Sequence, residues 1–138
     1  MGVYRGVAQD NVTINSGRAT LQSLTVTGAF TSSGGVRIPV AAVAATGSTQ
    51  SNAAALSEGL NVVSAADGTK GVVLPTAVAG MVVIVKNTAG AALKIYPATG
   101  GTVNALSANA AYSITNLTST LLVASSATQW YSVPLVAS

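Results

Sequence analysis

Between Val12 and Phe30 apolar and polar residues alternate with the two-residue period of an extended strand. Val12 and Ile14 flank a threonine, and Asn15-Ser16-Gly17 is turn chemistry. Leu24, Val26, Gly28 and Phe30 then fall on one side of a strand, with Thr25, Thr27 and Ala29 on the other. The phase slips between Leu21 and Leu24, so the apolar face flips there, as it does at a bulge or a solenoid-like corner. Strand, corner and strand, written in Thr, Ser and Gly instead of charges, point toward assembly and away from catalysis.

Length and composition sharpen that direction. At 138 residues the chain has room for one domain and an appendage. Half of it is apolar, but Ala and Val dominate. Six basic and three acidic residues make 7% of the chain, against about 25% in an ordinary soluble domain. A monomer of this size needs more charge to stay apart from its copies. The composition therefore predicts a surface covered largely by copies of itself or by a larger particle.

The net charge is +3, a consequence of few acids more than of many bases. The bases are scattered and form no run, so nucleic acid is not expected as a partner. Attraction to an acidic protein surface fits better, because Arg5, Arg18 and Arg37 face only Asp10 within the first forty residues. No cysteine is present, so disulfide and thiolate chemistry are excluded. The N-terminal residues carry no apolar signal-peptide region, and the longest apolar run, Ala77 to Val85, is far short of a membrane span. No membrane partner is expected.

Residues 1–46 are expected to form an extended N-terminal arm, and residues 47–138 a compact all-β module. In the arm, Thr31 to Gly35 is a loop, Pro39 suits an edge strand or a strand end, and Ala41 to Asn52 is a small-residue linker. Ala53 to Leu56 fits one helical turn, ended by Gly59. The arm holds too few large apolar side chains to offset the ordering of its own backbone. It needs a partner, and Leu21, Leu24, Val26 and Phe30 are the candidates for a shared core. Tyr4 and Arg5 are of the residue types enriched at binding hot spots.

The module predicts eight short strands: Leu60–Ser64, Gly71–Leu74, Met81–Asn87, Ala92–Tyr96, Thr102–Leu106, Ala111–Thr115, Thr120–Ala124 and Gln129–Val133. Turn signals separate them at roughly ten-residue spacing, which predicts a β-sandwich or barrel. Met81 to Val85 is apolar on both faces, so it is a central strand or one under a subunit interface. No internal repeat is visible. Trp130 is expected in the core and Tyr131 outside.

Catalytic chemistry has little to work with. The absence of histidine removes His-based triads and metal sites. Glu58 and Asp67 are the only acids in the module; Asp67, before Gly68, is first a turn aspartate, and Glu58, beside Gly59, a loop residue or local cap. No phosphate loop, dinucleotide fingerprint or clustered metal-ligating acids occur. No enzymatic activity, cofactor or metal is expected.

The stretches Gly71-Val-Val-Leu-Pro75, Ala79-Gly-Met-Val-Val-Ile-Val-Lys-Asn87, Leu93-Lys-Ile-Tyr-Pro-Ala-Thr-Gly100 and Val103-Asn-Ala-Leu106 cover about half of the chain. They resemble small β-modules of tailed-bacteriophage virion proteins, among them head decoration (cement) and head-fibre proteins and the ends of some tail fibres. Ala19 to Gly28 resembles trimeric phage fibre segments. The resemblance implies a homotrimer on the outer capsid surface, with the major capsid protein as partner. The arm would attach it, with Tyr4, Arg5, Arg18 and Arg37 as capsid contacts and Leu21, Leu24, Val26 and Phe30 as the trimer core. Shortness favours decoration over a tail fibre. The rival expectation is a receptor- or carbohydrate-binding fibre tip with Tyr96, Tyr112 or Tyr131 as a sugar platform.

Overall fold

Residues 25–135 are described in the computed structural model, and the chain divides into two units, residues 1–36 and 37–138. In the first unit, residues 25–36 form no strand, and Val26 and Phe30 are exposed. The strand expected through Phe30 is thus not formed over its described part, and a bend falls at Thr27 and Gly28. A strand needs a neighbour for its main-chain groups, and residues 25–30 have none among the described residues. The part of that expectation on residues 12–24 lies outside the described residues.

The second unit is all-β, with a single three-residue 3-10 turn at Gln50–Asn52 among its described residues. β1 (Val40–Ala44), β2 (Ala54–Ala55), β3 (Gly59–Ser64), β4 (Gly71–Val73), β5 (Val82–Asn87) and β6 (Leu93–Tyr96) alternate between two sheets. β1, β3 and β5 lie parallel in one, and β2, β4 and β6 parallel in the other. Val40 pairs with Leu60 and Leu60 with Ile84, so successive coils are offset by 20 and then 24 residues. This is a β-solenoid of three coils. It corrects the expected sandwich or barrel: two sheets do face each other, but paired strands come from successive coils and not from hairpins.

β7 (Thr102–Val103), β8 (Tyr112–Ile114), β9 (Ser119–Ala124) and β10 (Gln129–Leu135) close one end. β8 runs antiparallel to β6 and β9 antiparallel to β5, so the last coil travels in reverse. β10 returns antiparallel to β9, and β7 pairs in parallel with its first two residues. All eight expected strands are present, though the one expected over Thr102–Leu106 stops at Val103. Two further strands were expected as other structure. The presumed linker at Ala41–Ala45 is mostly β1, which moves these residues from the arm into the solenoid, and the helical turn at Ala53–Leu56 is instead β2. Alanine by itself favours helix, and parallel pairing with β3 and β4 overrides that preference.

Polar side chains hold the corners. At the end of β5, Asn87 is fully buried; its Nδ2 donates to Ala91 O at 2.8 Å and Thr115 O at 3.0 Å, and its Oδ1 accepts from Ala89 N at 3.0 Å. On the opposite side, buried Asn61 accepts from Ser57 N and donates to Ser57 O. Gly59 has φ +87°, and a Cβ there would strike Pro39 O, the acceptor of the Leu60 N–H. Among the described residues every buried side-chain polar atom has a partner.

The core lies between the sheets. Val63, Val83, Val85 and Leu122 meet Val72, Leu93 and Ile95, all fully buried. Trp130 closes the capped end at 1% exposure and Tyr131 points out, as expected.

Candidate assembly face

Burial alternates strictly along β5: Val83, Val85 and Asn87 are buried, and Val82, Ile84 and Lys86 face outward. Strand register carries that outward phase across the sheet. Val40, Leu60, Ile84, Leu121 and Val133 stand opposite one another in five successive strands, forming one apolar row perpendicular to them. On one margin lie Val82, Val123 and Tyr131. On the other lie Ala42, Val62, Lys86, Ser119 and Leu135. Val40 is 67% exposed, Tyr131 54% and Val133 51%. Five strands of about six residues give this face a footprint of about 24 by 20 Å, or about 480 Å². That is in the upper part of the patch size a monomer leaves bare, about 300–600 Å².

Two charged residues border the face. Glu58 lines a shallow groove of about 270 Å³ with Ile38, Pro39, Met81, Val82 and Ile84, on the Val82 margin. Lys86 sits on the opposite margin, where its Nζ donates to Leu117 O at 2.6 Å.

Of the residues expected to act, Tyr131 lies on the Val82 margin of this face. Tyr4, Arg5, Arg18, Leu21 and Leu24 are not among the described residues. Arg37 is exposed at the start of the second unit. The three tyrosines do not share a platform. Tyr96 is buried: its ring lies over Gly71, where a Cβ would collide with it, and its hydroxyl donates to Ser48 O at 2.7 Å. Tyr112 is half-buried against the core in β8, and only Tyr131 is exposed, on the opposite sheet. Sequence reasoning missed the outer face as a whole, although Met81 to Val85, apolar on both sides, was its visible signal.

Glu58 and Asp67 flank the two ends of β3, separated by about 20 Å of extended chain. They cannot share one scissile bond. Asp67 is the turn aspartate expected: its Oδ1 accepts from Thr69 N, Thr69 Oγ1 and Lys70 N at 2.7–2.9 Å, and Lys70 Nζ lies 3.4 Å from Oδ2. The Lys70 N–H, then the Thr69 hydroxyl and N–H, hold its carboxyl well below the usual carboxylate range. Because the folded pKa is depressed, this stabilisation is full above the unfolded value, about 4, and is lost as pH falls further. Asp67→Asn should therefore flatten the acid limb of a stability–pH curve below about pH 4, measured by urea denaturation at successive pH values. An unchanged acid limb would deny the turn this role.

Among the described residues, no three His, Cys, Asp or Glu side chains come together, and no helix is long and apolar enough to cross a membrane. No family model, curated protein or solved structure matches the chain.

Proposed function

We propose that this protein is a structural virion protein that decorates and stabilises the outer surface of a phage capsid as a homotrimer. The observation that carries this reading is the apolar outer face of the six-stranded sheet, on a chain with only nine charged residues to keep copies apart. Covering such a face removes apolar area from water, and the largest patch on a monomer is often functional. The residues that precede β1 attach the trimer to the major capsid protein, with Tyr4, Arg5, Arg18 and Arg37 as contacts. Cementing then follows from mass action: a ligand that binds only the assembled shell stabilises it by its binding free energy. Three linked arms raise the effective concentration of each other.

The test is to add purified protein to particles that lack it and to count copies by electron microscopy. Hundreds of copies per particle, with rupture at higher temperature than for bare particles, are expected. A handful of copies at a tail or fibre tip would replace decoration with receptor binding. Deleting residues 1–30 should leave a folded solenoid that no longer coats particles; normal coating by the truncated chain would remove attachment from the arm.

A further inference from the structure

Resting on the homotrimeric reading above, we propose that three copies pack the outer face of the six-stranded sheet about a threefold axis parallel to the Val40–Val133 row. The solenoids run in the same direction, and Glu58 of each copy meets Lys86 of the next.

The charges set the direction. Glu58 and Lys86 lie on opposite margins, beside β3 and β5, which are neighbours in the sheet. In a cyclic, parallel arrangement each copy presents one margin to the opposite margin of its neighbour. The acid and the base then come within about one strand spacing, about 5 Å, along the axis. An antiparallel pair would set like margins together, Lys86 beside Lys86, with no acid to meet it.

Strand length sets the number of copies. Three sides of about 20 Å enclose a triangle whose inscribed radius is about 6 Å. Side chains reach about 5 Å from a sheet, half the spacing of packed sheets. Ile84, Leu121 and Val133 at the middle of each side therefore fill the axis without a channel or a clash. The middle row, nearest the axis, is wholly apolar, whereas Lys86 and Ser119 fall at the corners, near water. A parallel face-to-face pair would instead draw both the Lys86 and the Glu58 margins between two flat sheets and away from water, a costlier burial than at an open corner.

Light scattering on the whole chain tests the arrangement. The unaltered protein should have three times the chain mass. Leu121→Glu should reduce it to a monomer with an unchanged far-ultraviolet circular dichroism spectrum, and Val133→Glu, on the last strand, serves if the first variant misfolds. Glu58→Lys and Lys86→Glu should each weaken assembly, by about fivefold per seam, and the double exchange should restore it. Spin labels on Ala44→Cys or Leu135→Cys should give short same-site distances at both ends of the solenoid. A monomeric parent chain, trimers that survive both Glu substitutions, no recovery in the double exchange, or long distances at both ends would each overturn the arrangement. Trimers with this seam that fail to coat particles support the packing and overturn decoration.

Discussion

Replacing Trp130 with alanine should lower the unfolding free energy by about 3–5 kcal/mol, the range for removing a buried large aromatic. The indole is 1% exposed, and its strand neighbours are small: Val103 on one side and Ala124 on the other. They cannot collapse into the space it would leave. Trp130 also stands where the solenoid is closed, since its carbonyl accepts from Asn104 N and from Gln129 Nε2. Loss of the side chain would loosen the strand that keeps β7 in place. Urea denaturation followed by circular dichroism measures the effect. A loss below about 1 kcal/mol would mean that the indole does not fill the closed end.

Asn87→Ala should cost about 3 kcal/mol, because it removes three hydrogen bonds of about 1 kcal/mol each from a buried corner. The orphaned groups are Ala91 O, Thr115 O and Ala89 N, which belong to the turn after β5 and to the residue that follows β8. The amide thus ties the third coil to the reversed one. Asn87→Asp separates shape from chemistry: it keeps the volume but loses both donated bonds and buries a charge. It should be at least as destabilising as Asn87→Ala. Protease should cut both variants faster between residues 88 and 92 than the parent chain. If either variant matches the parent in urea, the amide is not a structural tie.

Much of this fold was legible because strand period and turn chemistry are local. Eight strands, the inward Trp130, the outward Tyr131 and the Asp67 turn all follow from neighbouring residues. The coil did not, because turn spacing says where a chain bends and not in which sense. A hairpin and a half-coil can have the same length, and only the partner strand distinguishes them. β1 was hidden because Ala41, Ala42 and Ala44 favour helix over strand by themselves, and the pairing with β3 that overrides them is not local. The burial of Tyr96, a candidate for the sugar platform, was hidden because it depends on Gly71, a residue remote in sequence that leaves space for the ring. The candidate face was half visible: Met81 to Val85 carried the signature, but the row through Leu60, Leu121 and Val133 exists only once register is known.

The reversed coil has a consequence for length. Each parallel coil touches only the coils beside it, and β8 to β10 close one end regardless of how many coils lie beneath. Inserting or deleting one segment of 18 to 24 residues, the offsets seen between coils, would change the height by one strand spacing, about 4.8 Å, and leave both the closed end and the outer stripe in phase. The molecule is in this sense a ruler with a fixed graduation, and its reach can be altered in whole steps without redesigning what it touches.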